Sequence, residues 1–469
     1  MLCLNGARRC RGTGREEQAM PRRTANAASN TASRRGVLKT AAAAAVLSAA
    51  RRHAVHAAGS DVIRAGLVGC GGRGTGAAIN AANAGRDVRI VALADIFQER
   101  LDAAHAQLKA ARPEQVDIPR RNCFVGFDAY RHLIECGVDV VLIAPASHFI
   151  PTILKAAIDA GKHVFCEKPH ALDIPGLKTT MRACEDARRK GLSVVSGLCW
   201  RYDPGVRQTM QRVHDGAIGR IVAIQETYLT SPYIVRPRRP GQSEMEYQMW
   251  NWYHFNWLSG DQTAQQLIHS LDKASWALGD KPPLRAWGLG GRQTCLGPEY
   301  GDLFDHHSVV FEYPDDVRVY GFCRAQPGCN SSTADLIIGT RGRCHLLGYR
   351  IEGEVNWRYE GPRGNMYDIE HQELFAGIRA GRPVNNGDYM CLSTALAIVA
   401  QMACYSGNTI PWGKAMESTR SFALPRYGWD VEPPVKPGPD GRYPSAMQGL
   451  EERARWISDS PAPGAGAPG

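Results

Sequence analysis

The chain has 469 residues, 44% hydrophobic and 22% charged, an ordinary globular composition on a length that predicts two folded domains. Its net charge of +10 sits at the start: residues 1–57 carry 11 Lys/Arg against 2 Asp/Glu, leaving 45 basic and 44 acidic residues beyond them. A folded part that is nearly neutral excludes the basic footprint of a nucleic-acid binder, and no apolar run reaches bilayer length, which excludes stable membrane insertion.

The basic start reads Ser33-Arg34-Arg35-Gly36-Val37-Leu38-Lys39, then an alanine-rich run from Thr40 to Ala50, Arg51-Arg52 and a small-residue stretch ending near Ala58. Residues 1–58 resemble a twin-arginine export signal, which predicts a periplasmic protein exported already folded. If they are only a basic tail, the protein is cytoplasmic. Met20 is an alternative start. The 14 cysteines are scattered, with no Cys-x-x-Cys and no Cys/His ligand spacing, so no metal site is predicted.

In chain order, the first predicted strand is Ala65–Val68. It breaks at Gly69-x-Gly71-x-x-Gly74 and resumes as a small-residue helix, Thr75–Ala84. The three glycines serve different ends, with a tight turn at Gly69, close backbone approach to a pyrophosphate at Gly71, and helix–strand packing at Gly74. The helix N-terminus adds partial positive charge toward the phosphates. A second strand, Val88–Ala94, ends in Asp95, where a ribose-binding carboxylate is expected, about 20 residues on. Arg100 follows a turn later.

Helices at Phe97–Ala111 and Phe127–Glu135 flank a short strand near Cys123-Phe124. The apolar run Val138–Ile143 reads as a strand buried on both faces, ending in Ala144-Pro145-Ala146-Ser147-His148. A helix (Ile150–Ala160), a strand (His163–Cys166), a further helix and a last strand (Ser193–Gly197) complete a doubly wound parallel sheet over 59–200. Glu167-Lys168-Pro169 follows a strand of that sheet, which aims Lys168 at the crevice. A lysine there can stabilise negative charge on a carbinol oxygen during hydride transfer.

From 201 to 412 the pattern becomes α+β. A helix (Asp203–His214) precedes strands at Ala223–Leu229, Leu284–Gly290, His307–Tyr313, Arg318–Cys323 and Ala334–Ile338, which predict a large open, mostly antiparallel sheet. Helices are predicted at Gln265–Leu278, Asp368–Ala380 and Cys391–Ser406. The aromatic run Trp250–Trp257 fits either a substrate-cleft loop or a core or subunit contact. Residues 413–469 form a C-terminal extension, with a disordered tail after about Arg453.

The glycine loop, Asp95, Glu167-Lys168-Pro169 and Gln265-x-x-x-His269-x-x-Asp272, in that order, resemble the family of glucose–fructose oxidoreductase, inositol 2-dehydrogenase and the rhizopine-catabolism oxidoreductases (Gfo/Idh/MocA), from Ile63 to about Trp412. The resemblance implies a Rossmann domain followed by a domain with a large open sheet, NAD as hydride carrier (favoured by Asp95, with Arg100 leaving NADP as the lesser alternative), a sugar, glycoside or cyclitol substrate, and a homodimer or homotetramer formed through that sheet. It places the cofactor against Gly69, Gly71, Gly72, Arg73, Gly74, Asp95, Ala144, His148, Glu167 and Lys168. Lys168 and His269 match the catalytic pair, and Tyr253, Gln265 and Asp272 complete the implied substrate surroundings. The family carries an aspartate where this chain has Gln265. Glutamine cannot ionise, so the proton relay rests on His269, whose ordinary pKa suits an acid/base. A periplasmic oxidoreductase has no dependable pool of free NAD, so the cofactor is expected to be tightly bound. Two other readings remain: a redox-neutral epimerase or NAD-assisted glycosidase, and a non-catalytic sugar or cofactor sensor.

Overall fold

The computed structural model of the chain describes residues 62–448. The export signal assigned to residues 1–58 and the tail after Arg453 lie outside them.

The first half alternates strand and helix: β1 (Ile63–Val68), α1 (Gly72–Asn83), β2 (Val88–Asp95), α2 (Gln98–Ala111), β3 (Cys123–Val125), α3 (Ala129–Glu135), β4 (Val140–Ile143), α4 (Ile150–Asp159), β5 (His163–Cys166), α5 (Ile174–Lys190) and β6 (Val194–Ser196). All pairings are parallel, in the order β3-β2-β1-β4-β5-β6. This is the doubly wound Rossmann order, whose ligand crevice opens where the order reverses, between β1 and β4. The four residues of β4 are buried, as a strand covered by helices on both faces must be.

After α6 (Pro204–His214) comes β7 (Ile221–Thr230), then two short helices, α7 (Glu244–Trp250) and α8 (Asn256–Ser259), and α9 (Ile268–Ala277). The second sheet continues with β8 (Arg285–Gly291), β9 (His306–Glu312), β10 (Arg318–Ala325), β11 (Ser332–Gly339), β12 (Gly342–His345), β13 (Arg350–Gly353) and β14 (Trp357–Arg358). Helices α10 (Met366–Arg379) and α11 (Gly387–Ser406) follow, then β15 (Ile410–Pro411). Its nine strands run β14-β13-β12-β11-β7-β10-β9-β8-β15, antiparallel except for β7 with β10. One face carries the helices. The other exposes Trp287, Leu289, Tyr320, Phe322 and Ile338.

Three details differ from the sequence reading. Strands β12 to β15 are two to four residues long, too short for alternation to register. Helix α10, placed in the second domain by sequence order, buries Leu374, Phe375 and Ile378 in the same hydrophobic cluster as Ile63, Leu67 and Ile90 of the first sheet. Helix α11 is long and apolar enough to cross a membrane, yet 89% of that stretch is buried inside the protein, where it serves as a core helix.

Candidate functional site

The glycine loop between β1 and α1 has the geometry its sequence requires. Gly69 has φ +94°, and a Cβ there would lie 2.3 Å from the Ala144 carbonyl oxygen. A Cβ at Gly74 would lie 1.9 Å from the Gly69 carbonyl oxygen. At Gly71 and Gly72 a Cβ would meet nothing within 4 Å, so the loop presents bare backbone to open space. Gly71 caps α1 without a side-chain hydrogen bond, which leaves first-turn N–H groups available to an anion.

That open space is a cavity of about 680 Å³, within the range of small-molecule and cofactor sites. Its wall includes Gly69, Gly71, Gly72, Arg73, Gly74, Asp95, Ala144 and Tyr253. Asp95 accepts N–H bonds from Cys70 (2.7 Å) and Phe97 (2.9 Å), pinning the glycine loop. Each carboxylate oxygen has a second lone pair, so Asp95 can still accept a ribose hydroxyl. Arg100 donates to the Trp250 carbonyl at 2.8 Å and sits over the Trp250 ring. The bare loop, the uncapped helix and the carboxylate together fit a dinucleotide.

Glu167 and Lys168 stand behind this wall. The Glu167 carboxylate takes the Arg73 guanidinium at 2.7 Å, so it orients a wall residue. The Lys168 ammonium donates to the Gln265 carbonyl at 2.6 Å, within a π-helical turn, Thr263–Leu267, that leads into α9. Such turns recur at functional sites. Burial lowers the pKa of Lys168. One turn on, His269 keeps partial solvent exposure while its Nδ1 is buried with no hydrogen-bond partner. Burial, then the charges of Lys168, Lys273 and Arg73, push its pKa well below the usual value, so the imidazole is neutral at pH 7. A cation holding a fixed place beside a neutral base is what carbinol–carbonyl chemistry needs.

Three predicted site residues have other partners. His148 is not on the cavity wall: its Nε2 accepts from the Tyr427 hydroxyl at 2.6 Å, and its ring packs edge-on against Phe149 and Trp257. The side chain of Gln265 points away from Lys168, its amide donating to Ser147 at 3.0 Å and to the Ser259 carbonyl; only its backbone oxygen serves the lysine. Asp272 is consumed by a buried ion pair with Arg201 at 2.9 Å and by the Ser393 hydroxyl at 2.8 Å, a bond set that serves packing. The polar run Asp305-His306-His307 is likewise structural. Asp305 accepts the N–H groups of Gln293, Thr294 and Cys295, and His307 pairs with Asp261. No metal-binding cluster occurs among the described residues.

The aromatic run divides. Phe255 and Trp257 are buried in a hydrophobic cluster, Trp250 belongs to that cluster and also reaches the cavity wall, and Trp252 and Tyr253 line the cavity. Tyr253 stacks on Tyr233 with ring centroids 4.1 Å apart, and burial raises its pKa to about 12. Sequence reasoning missed Tyr233, the Arg73–Glu167 pair and, from the C-terminal extension, Arg426 and Tyr427, which also line the cavity. An arginine inside a glycine loop next to Glu-Lys-Pro was the available signal for the pair. Nothing local marks Tyr427.

Comparison with known proteins agrees with this geometry. Residues 63–196 match the model of an oxidoreductase family with an NAD-binding Rossmann fold, Gfo/Idh/MocA. Inositol 2-dehydrogenase of Salmonella typhimurium is 25% identical over 367 residues, covering 74% of this chain and 96% of that protein. Two solved structures share the fold at 18% identity: aldose-aldose oxidoreductase from Caulobacter crescentus with glycerol (TM-score 0.58; 75% of this chain, 99% of that one) and levoglucosan dehydrogenase with NADH and levoglucosan (TM-score 0.59; the same coverage). Residues 63–196 thus carry the NAD-binding Rossmann domain of the Gfo/Idh/MocA oxidoreductase family, and the likeness to a dehydrogenase relative runs over nearly that relative's whole length.

Proposed function

We propose that this protein is a dehydrogenase that transfers hydride between NAD and a secondary alcohol carbon of a sugar, glycoside or cyclitol, and that it keeps its cofactor bound between turnovers. The observation that carries the reading is the pairing of Lys168 with His269. The lysine ammonium is held on the Gln265 carbonyl, and the unpartnered Nδ1 belongs to the next turn of the same helical segment. Bound NAD supplies the hydride acceptor. One of the three Lys168 donors is used by Gln265, leaving two for the substrate oxygen, whose negative charge they stabilise. Neutral His269 takes the hydroxyl proton in oxidation and returns it in reduction. Tyr253 is sandwiched between Tyr233 and Trp252, so it meets a sugar or cyclitol with its edge and hydroxyl rather than with a ring face. The similarity to inositol 2-dehydrogenase over nearly its full length supports a polyol substrate.

Export by the twin-arginine route to the periplasm is part of the same proposal, supported by the Arg34-Arg35 segment. So is a homodimer or homotetramer through the open sheet. Its exposed face aligns Trp287 with Tyr320 across Val310, and Leu289 with Phe322 across Ser308, a contiguous apolar surface that a second copy would cover.

The test uses protein purified without added cofactor, denatured and analysed for NAD(H) and NADP(H). Near-stoichiometric NAD(H) supports a retained cofactor, and a panel of sugars and cyclitols is then screened for the appearance or loss of the 340 nm absorbance. No response to any polyol, with cofactor present, refutes the dehydrogenase reading.

A further inference from the structure

The cavity has one wall that does not come from the Rossmann domain or the second sheet. After the short helix α12 (Trp412–Met416), residues 417–448 run without any helix or strand, yet they pack closely on the molecule. Arg426 and Tyr427 of this segment line the cavity together with Asp95, Arg100 and Phe127, which belong to its β2–β3 side. In a Rossmann crevice that side receives the adenosine half of a dinucleotide.

The segment is fastened mainly through side chains. The Tyr427 hydroxyl donates to His148 and accepts the Leu424 N–H at 3.2 Å, and its ring packs on Phe149 at 5.1 Å. Trp429 packs on Phe127 at 4.7 Å and on Phe97 at 5.4 Å. Upstream, the Phe422 N–H donates to Asp173 at 2.7 Å; downstream, Gln248 donates to the Val435 carbonyl at 2.8 Å, and Tyr443 bonds Glu244. Backbone bonds at Val431, Gly438 and Gly441 close turns within the segment itself, so lifting it breaks no sheet or helix ladder.

We infer that residues 417–448 form a strap that closes the adenosine end of the cofactor cavity, with Tyr427 and Trp429 as its pins, and that the dinucleotide leaves only when the strap lifts. This rests on the retained-cofactor reading above and assigns the retention to named residues. It makes His148 the post to which Tyr427 is tied. It also explains how a crevice that is open in a bare Rossmann domain can hold its cofactor through export and turnover. A second clamp on the same side, Arg239 on Glu99 at 2.6 Å and Arg100 on the Trp250 carbonyl, fixes the neighbouring loop. The strap is the part that opens, because it has no ladder of its own.

The full chain, wild type and Trp429→Ala, is emptied of cofactor and loaded with NADH. Release is followed by loss of bound-NADH fluorescence on adding excess NAD. Lys436→Ala, an exposed change within the strap, is the control. Release at least ten times faster from Trp429→Ala than from wild type and control is the expected result. Slow release from both wild type and Trp429→Ala overturns the strap and leaves the retained-cofactor reading intact. Fast release from wild type overturns that reading and the strap with it. If Trp429→Ala does not fold, Tyr427→Phe and amide hydrogen exchange decide. NADH must slow exchange across 422–435 in wild type, and unchanged protection there refutes the proposal.

Discussion

His148 offers a sharp test of the site, because sequence placed it on the cofactor and structure places it behind the strap. Its Nε2 accepts the Tyr427 hydroxyl, whose oxygen already accepts the Leu424 N–H. Protonating the ring puts a charge into an aromatic enclosure and a second N–H donor against that oxygen. Burial accordingly lowers the His148 pKa from 6.5 to about 4. The unfolded chain therefore takes up the proton first as pH falls. Stability is fully present above pH 6.5 and is lost as pH drops toward 4. A displacement of that size corresponds to a ceiling of about 3.4 kcal/mol at about 1.36 kcal/mol per pH unit. Residual exposure of the ring reduces the expected value to about 2 kcal/mol. The perturbation is His148→Gln, and the assay is urea denaturation at steps from pH 8 to 4.5. At pH 8 the variant is less stable by about 1–2 kcal/mol, from the lost ring contacts. The gap then narrows by about 2 kcal/mol toward pH 4.5, since only wild type carries the titrating ring. His254, also lowered to about 4 by burial, remains in both proteins and cancels. Parallel curves across the whole range would refute the reasoning.

Lys168→Met lowers turnover at least about a thousandfold while leaving NADH affinity within a few-fold, as measured by steady-state rates and NADH titration; equal losses in both would make the lysine a cofactor residue instead. Gly74→Ala drives a Cβ to 1.9 Å from the Gly69 oxygen, so NADH binding is lost and the melting temperature falls; normal binding by calorimetry counts against the loop geometry. Asp272→Ala leaves Arg201 buried with only Asp280, and destabilises by about 3–5 kcal/mol in urea. Unaltered stability with lost turnover would return Asp272 to the substrate site.

The Rossmann half was legible because its signals are local. Apolar runs marked β2 and β5 to within one residue and β1 and β4 to within two, and the strand-to-helix context of Gly69–Gly74 singled out the glycine loop. Lys168 and His269, the proposed catalytic pair, were read for a different reason, from ordered motifs that resemble a family's. What stayed hidden depends on contacts distant in sequence. Tyr427 meets His148 across 279 positions, and Asp272 meets Arg201 across 71, so neither neighbourhood leaves a pattern in its own window. Helix α10 looks like any amphipathic helix, and only its burial beside β1 and β2 assigns it to the first core.

In the proposed reaction, the glutamine at position 265 bears on which groups carry the proton rather than on the fold. An aspartate side chain there would compete with the backbone for Lys168 and add a second base beside His269. Here the amide is turned onto Ser147 and Ser259, and the main-chain oxygen alone holds the ammonium. That oxygen is neutral, so it stabilises the charged lysine less than a carboxylate would, in a place where burial already lowers the lysine's pKa. The lysine thus keeps more of its positive field for a developing alkoxide. In the proposed reaction the proton of the substrate hydroxyl passes to His269, held unprotonated by burial and the surrounding cations. Replacing Gln265 with Asp supplies a competing base: the lower limb of the turnover–pH profile shifts and His269→Asn becomes less damaging. If His269→Asn is equally damaging in both backgrounds, the carboxylate at 265 does not enter the relay, and His269 works alone in either version of the site.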